Sequence, residues 1–172
     1  YKRQVVSYIN SLDRGNSDIC NIIEKEAIED QVPIIRKEMG NLLKVLLKLK
    51  QPKSILEVGT AVGYSSILMS ENMPVDCKIV TIENYDKRIP IARNNIKRAG
   101  KEDCIQLIEG DAMEVLKELE GAFDFIFMDA AKGQYINYLP EVLRLMPHGG
   151  LLISDNILQA VSYTHLRAHE TS

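Results

Sequence analysis

Short apolar runs alternate with amphipathic stretches through most of the chain. The runs are rich in branched and aromatic residues and cover residues 54–58, 78–83, 105–109, 123–129 and 150–155. Helical spacing of apolar positions recurs between them, at roughly residues 64–71, 87–98, 112–119 and 135–146. Because parallel strands need long crossovers that are usually helical, this alternation predicts an α/β fold, a parallel sheet with helices on both faces.

Residues 1–52 show helical periodicity without strands. We expect three helices. Apolar positions recur at helical spacing in the first two, at Val5, Val6, Ile9 and Leu12 and at Ile19, Ile22, Ile23 and Ala27. The third covers residues 34–49, with Leu42, Leu43, Leu46 and Leu47 on its buried side. Gln51 and Pro52 end the last of them. We interpret residues 1–52 as a helical preface of the same domain and residues 53–159 as the α/β domain.

Residues 160–172 break the pattern, with neither alternation nor a clear amphipathic period. They resemble translated adapter or vector sequence, so we expect an artefactual tail. His165 and His169 have the spacing of a zinc pair on a helix, but no third ligand stands beside them.

Composition narrows the class of protein. The 172 residues are 45% hydrophobic and 26% charged, as expected for one globular domain with a sizeable core. A net charge of −3 gives no global attraction for nucleic acid or anionic membranes. The three cysteines form no C-x-x-C pair, and no apolar run is long enough to span a bilayer. We therefore expect a cytoplasmic protein with reduced thiols and no membrane partner.

The most informative stretch is residues 55–66, an apolar strand, a turn with Gly59 and Gly63, and a helix start. This arrangement is typical of nucleotide-binding crevices, where glycine lets the backbone approach a ligand closely. The Gly-x-x-x-Gly spacing differs from that of pyrophosphate binders, and Glu57 in the same crevice would repel an anion. A cationic nucleoside such as S-adenosylmethionine fits better. A plain strand–turn–helix corner is the alternative.

Acidic residues follow the next two strands. Glu83 lies twenty residues after Gly63, a distance at which an acid typically accepts hydrogen bonds from ribose hydroxyls. Gly110, Asp111 and Ala112 leave room for a flat base and offer an acceptor to its amine. Glu83 is otherwise a solvated strand-end carboxylate, and Asp111 is otherwise a helix N-cap, a role that can coexist with base binding.

Strand ends also predict a cation site. Asp129 follows the fourth run, and Asp155 and Asn156 follow the fifth. If these strands are neighbours, the three side chains converge as oxygen ligands suited to Mg²⁺. Lys132 in the same loop is then a candidate general base. The alternative is strand-end caps and a surface lysine.

Other side chains receive weaker assignments. Met39, Tyr64, Ser65 and Asp129 are candidates for contact with the cofactor, although Met39 and Tyr64 also suit the core. Basic residues on the helices, Arg36 and Arg88 among them, are expected on solvated faces unless they cluster and hold nucleic-acid phosphates.

These motifs, in this order, resemble the cation-dependent O-methyltransferases of the catechol and caffeoyl-CoA type over about residues 32–156. The resemblance implies a Rossmann-like class I methyltransferase sheet of seven strands and S-adenosylmethionine as methyl donor. It also implies Mg²⁺ held by Asp129, Asp155 and Asn156, with Lys132 assisting deprotonation of the acceptor hydroxyl. The family's last helix and two strands follow the Asp-Asn pair and are expected to be missing here, which would expose a sheet edge and reduce stability or activity.

Within that family, residues 32–35 and 40–43 look most like the bacterial branch. That branch includes the enzyme that methylates 5-hydroxyuridine in tRNA, so tRNA is the expected acceptor and a homodimer the expected state of the full-length parent. A small catechol-type acceptor is the first alternative, and a non-catalytic nucleoside-binding module is the second.

Overall fold

The computed structural model describes Gln4, Tyr8, residues 15–130 and residues 132–155, and it gives Lys132 by its backbone alone. The helices are α1 (Asp18–Glu29), α2 (Lys37–Lys50), α3 (Tyr64–Ser70), α4 (Ile89–Arg98), α5 (Ala112–Glu118) and α6 (Tyr135–Leu145). The strands are β1 (Ser54–Val58), β2 (Lys78–Glu83), β3 (Ile105–Glu109), β4 (Phe125–Met128) and β5 (Leu151–Ser154). A short 3-10 turn, Lys132–Gln134, precedes α6.

The strands form one parallel sheet in the order β3-β2-β1-β4-β5. The chain therefore adds β2 and β3 on one side of β1, and then crosses to the other side to form β4 and β5. Val58 is in register with Met128, and Met128 with Ser154. The residues that follow these three strands consequently leave the sheet at the same edge, next to the point where the strand order reverses, which is where open α/β sheets bind ligands.

Alternate residues of the central strands feed two cores. On one face, Ile55 and Phe125 pack with apolar residues of α1, α2, α3 and α4. On the other face, Leu56 and Ile126 pack with apolar residues of α5 and α6. Strands buried on both faces are apolar along their whole length, which explains why they appear in the sequence as continuous runs.

The predicted α/β fold is confirmed, and β1, β2 and β3 have the predicted bounds. The other strands and the crossover helices differ by one or two residues at their ends, where assignments are least certain. Two details of the preface were wrong: α2 begins at Lys37 rather than at residue 34, and Leu42 is 46% exposed rather than buried. Leu43 and Leu47 instead face the core.

Two predicted segments fall outside this description. The first predicted helix is described at Gln4 and Tyr8 alone, both helical, and the predicted artefactual tail lies outside the described residues. Within the described part of the chain, every helix falls short of the length and apolar character that a membrane span requires.

Candidate active site

A cavity of about 710 Å³ opens at the carboxyl edge of the sheet. This volume is in the range of sites for small molecules and cofactors. Its walls come from the loop before α2, the glycine turn after β1, and the segments that follow β2, β3, β4 and β5. The lining residues are Pro33, Ile34, Arg36, Gly59, Ala61, Ile82, Glu83, Asn84, Tyr85, Arg88, Gly110, Ala112, Asp129, Ala130, Tyr138 and Asp155.

Glu83 is the organising acid on the β2 side of the cavity. Its side chain is 8% exposed, and one carboxylate oxygen accepts the N–H of Ala61 at 2.7 Å. The other oxygen accepts the N–H groups of Asn84 and Tyr85, both at 3.0 Å. Since each carboxylate oxygen has two lone pairs, acceptor capacity remains for a ligand hydroxyl. The carboxylate is thus held rigidly by the backbone of two different loops.

The glycine turn after β1 packs against the segment that follows β4. Gly59 has φ +105°, and a Cβ there would lie 2.4 Å from the carbonyl oxygen of Asp129. Close packing against the segment after β4 therefore already requires glycine at this position, and close approach of a ligand to Gly59 stays a prediction. Gly63 is the N-cap of α3, and a Cβ there would make only ordinary contact with the backbone of Ala92 in α4, at 3.5 Å. Its φ of +83°, rather than lack of space, favours glycine.

Asp129 and Asp155 both line the cavity, one after each of two adjacent parallel strands. The N–H of Asp155 donates to the carbonyl oxygen of Met128 at 3.0 Å, so the two chains are still paired where the acids begin. Burial raises the pKa of the Tyr135 phenol to about 12, and the charges of Asp129 and Asp155 add to this shift. Two carboxylates concentrated in one wall are hard oxygen donors that fit a divalent cation such as Mg²⁺.

Beneath the glycine turn lies a buried polar cluster centred on Glu57. Glu57 is fully buried, and its carboxylate accepts hydroxyl hydrogen bonds from Ser65, Ser66 and Thr81, the last at 2.6 Å. Thr81 also contacts the hydroxyl of Thr60 at 2.6 Å. Burial raises the pKa of Glu57 to about 7, the hydroxyl hydrogen bonds oppose this shift, and the charge of Asp129 adds to it.

Comparison with known proteins identifies the family. A family model described as O-methyltransferase matches residues 17–170. The chain belongs to this family. A catechol O-methyltransferase of Niastella koreensis is 39% identical over 158 residues, which cover 88% of this chain and 72% of that protein. Caffeoyl-CoA O-methyltransferase 1 of Eucalyptus globulus is 38% identical over 128 residues, 69% of this chain and half (50%) of that protein.

Solved structures of O-methyltransferases share the fold. The O-methyltransferase TomG of Streptomyces achromogenes, solved in complex with SAM, has a TM-score of 0.84 and 29% identity, covering 94% of this chain and 75% of that chain. An O-methyltransferase of Bacillus cereus, solved in complex with SAH, has a TM-score of 0.82 and 28% identity, covering 89% of this chain and 72% of that chain. The predicted resemblance to catechol and caffeoyl-CoA O-methyltransferases, and the Rossmann-like sheet, are confirmed.

The cavity of this O-methyltransferase brings together part of the predicted site. Of the predicted cofactor residues, Gly59, Glu83, Gly110, Ala112 and Asp129 lie in the wall. The remaining predicted residues, which lie outside the wall, are Met39, Glu57, Gly63, Tyr64, Ser65 and Asp111. Binding of cofactor by either group stays a prediction.

Each of those outlying residues has a structural role. Glu57 and Ser65 belong to the buried cluster, and Tyr64 lies in the core, 4% exposed, where its hydroxyl accepts the Asn16 side-chain amide at 3.1 Å. Met39 packs against the same core. Asp111 is the N-cap of α5 and accepts the N–H of Met113 at 2.9 Å, as its alternative role predicted.

The predicted cation site is described in part. β4 and β5 are neighbours, as the prediction requires, and Asp129 and Asp155 both line the cavity. Asn156 lies outside the described residues, and Lys132 is placed by its backbone alone, in the 3-10 turn after β4. Among the described residues there is no group of three His, Cys, Asp or Glu that could hold a metal ion. The roles of Lys132 and Asn156 therefore stay predictions.

Several lining residues were not predicted. Tyr85 and Arg88 follow Glu83 in the same loop, and the Arg88 guanidinium stacks over the Tyr85 ring at 5.2 Å from its centroid. Because they follow Glu83 closely in the sequence, they could have been predicted from its position. Tyr138, 6% exposed, comes from α6, and no local pattern places it beside the loops of β2 and β3.

We expect the stability of the protein to fall as pH rises through the titration of Glu57. In the folded state its pKa is about 7, above the usual 4.5, so the folded protein holds a proton that the unfolded chain releases in this interval. The stability that protonated Glu57 contributes is fully present below pH 4.5 and is lost as pH passes 7. The loss is about 3 kcal/mol in the free energy of unfolding. Urea titrations of the protein and of Glu57→Gln from pH 4.5 to 8, with EDTA, measure it.

Titrating groups that do not interact with Glu57 contribute equally to both proteins, so the difference between the two pH profiles isolates Glu57 together with its coupling to Asp129. The Glu57→Gln profile should be flatter over this interval. Parallel profiles would contradict the prediction.

Proposed function

We propose that this chain catalyses transfer of a methyl group from S-adenosylmethionine to a hydroxyl of a small molecule that carries neighbouring hydroxyls, with a divalent cation bound at Asp129 and Asp155. The observation that carries the proposal is the joint position of both carboxylates and Glu83 in one cavity wall. Since the chain spans half the length of the caffeoyl-CoA relative, activity of the chain by itself is part of the proposal.

The residues of the cavity divide into two regions. Glu83, held by three backbone N–H groups, accepts the ribose hydroxyls of the donor. Gly110 and Ala112 border the place for its base. Asp129 and Asp155 hold the cation on the opposite side of the glycine turn, and Lys132 follows in the same loop to accept the acceptor's proton.

When bound, the donor would supply an electrophilic methyl group, and the cation would supply positive charge that stabilises an oxygen anion. The fold supplies the alignment of acceptor oxygen and methyl carbon, on which much of the rate depends.

The acceptor class is inferred from the relatives. Catechol and caffeoyl-CoA, in the names of two relatives, are small molecules rather than nucleic acids. One observation keeps tRNA as a second candidate: Arg36 and Arg88 line the cavity, and guanidinium groups bind phosphates well. Methylation of 5-hydroxyuridine in tRNA, expected from the sequence, is therefore the other arm of the test.

The test begins with calorimetric titration of the chain with S-adenosylhomocysteine, with and without Mg²⁺. Saturable binding at one site supports the cavity as the cofactor site. Transfer of labelled methyl from S-adenosylmethionine to catechol or to bulk tRNA, with EDTA as the metal-free control, then separates the two acceptor classes. Binding without transfer to any acceptor would favour the non-catalytic module, and a folded chain that ignores the nucleoside would contradict the proposal.

A further inference from the structure

Tyr135 joins the ends of the two strands that lead to the candidate cation ligands. It is the first residue of α6 and is half-buried. Its hydroxyl donates to the carbonyl oxygen of Asp155 at 3.0 Å and lies 3.3 Å from the carbonyl oxygen of Met128. The Tyr135 hydroxyl thus contacts the last residue of β4 and the residue after β5, where the regular pairing of these strands ends.

Backbone hydrogen bonds connect the same segments that the Tyr135 hydroxyl contacts. The carbonyl oxygen of Met128 also accepts the N–H of Asp155 at 3.0 Å, and the N–H of Asp129 donates to Val58 in β1 at 2.9 Å. The backbone of Asp129 is therefore fixed to β1. The backbone of Asp155 is fixed to β4 through its N–H, and Tyr135 holds its carbonyl group on the other side.

Asp155 follows an edge strand of the described sheet. Among the described strands, β3 and β5 are the two edges, and β5 is paired with β4 alone. An edge strand has backbone groups on one side that no neighbouring strand holds, so its end moves more easily than that of a central strand. A small shift of Asp155 changes the distance between two carboxylates that must share one small cation.

The contact depends on the hydroxyl of Tyr135 rather than on its ring, because the hydroxyl is the group that reaches both backbone carbonyl groups. A phenylalanine would fill the same space without donating a hydrogen bond.

We propose that Tyr135 is a positioning residue for the divalent cation, and that its hydroxyl fixes Asp155 relative to Asp129 so that both carboxylates reach the same ion. This inference rests on the proposed function, since it assumes a cation at these carboxylates. A purely structural role, in which Tyr135 merely attaches α6 to the sheet, would reduce stability without a selective effect on cation affinity.

The test is calorimetric titration of the full chain with Mn²⁺ and with Mg²⁺ in the presence of saturating S-adenosylhomocysteine. Tyr135→Phe is compared with Arg144→Met, which removes hydrogen bonds from α6 to the carbonyl oxygens of Leu116 and Leu119 and lies outside the cavity wall. We expect cation affinity to fall about 10-fold or more in Tyr135→Phe and to stay unchanged in Arg144→Met. Affinity for S-adenosylhomocysteine should differ little between Tyr135→Phe and the unsubstituted chain.

Hydrogen exchange measured by mass spectrometry gives a readout independent of the metal. In Tyr135→Phe, the amide of Asp155 should exchange faster, while amides of β1 and β2 keep their protection. Unchanged cation affinity in Tyr135→Phe, or an affinity loss matched by Arg144→Met, would overturn the inference and leave the proposed function standing. Absence of cation binding by the unsubstituted chain would overturn both.

Discussion

Replacing Gly59 by alanine is expected to destabilise the protein and to abolish nucleoside binding together. The new Cβ would stand 2.4 Å from the carbonyl oxygen of Asp129 and 3.2 Å from the backbone nitrogen of Ala130. Neither backbone atom belongs to a flexible side chain, so β1 and β4 must separate at the cavity. With φ at +105°, alanine would also be strained before any contact is counted.

We expect a loss of about 3 kcal/mol in the free energy of unfolding, the sum of strain and displaced packing. Urea denaturation measures the stability, and calorimetry with S-adenosylhomocysteine measures binding. Gly100→Ala is the matched control: Gly100 also has a positive φ, +62°, but an added Cβ would meet nothing within 4 Å. If both variants lost the same stability, the contact with Asp129 would not be the cause.

Replacing Asp129 by asparagine is expected to lower methyl transfer about 1000-fold, because a cation contributes several kcal/mol to transition-state stabilisation. Asparagine keeps the shape and one oxygen donor but removes the charge that attracts the ion. Binding of S-adenosylhomocysteine should change far less than turnover, since Glu83 and the glycine turn remain in place.

Initial rates with catechol over a range of Mg²⁺ concentrations measure this effect, and Mn²⁺ titration gives the affinity without turnover. Asp76→Asn is the control, because Asp76 is exposed and lies just before β2, away from the cavity edge of the sheet. Undiminished turnover in Asp129→Asn would contradict the cation assignment.

Much of the fold could be predicted because the signals for it are local. The branched apolar runs gave β1, β2 and β3 at their observed bounds, and helical spacing gave the crossover helices within two residues. The sequence was ambiguous about which residues of an amphipathic helix are buried. α2 has leucines on more than one face, and spacing alone assigned both Leu42 and Leu43 to the core, whereas Leu42 is exposed.

The site was predictable where a residue directly follows a strand. Glu83, Asp129 and Asp155 each end an apolar run, and all three reach the cavity. The structure adds a reason for glycine that the sequence did not show, since Gly59 packs closely against the backbone of Asp129. The general-base role of Lys132, the ligand role of Asn156, the homodimer and the cytoplasmic location stay predictions.

The sequence by itself determined the order of strands and helices, the glycine turn and the acids at the strand ends, because these depend on periodicity and on neighbouring residues. The tertiary structure decided which strand ends meet. Strand order places β4 between β1 and β5, and this brings Asp129 beside both Gly59 and Asp155. It also buries Glu57 among hydroxyl groups and carries the Tyr135 hydroxyl to β4 and β5. Such contacts join residues distant in sequence, so no local pattern encodes them.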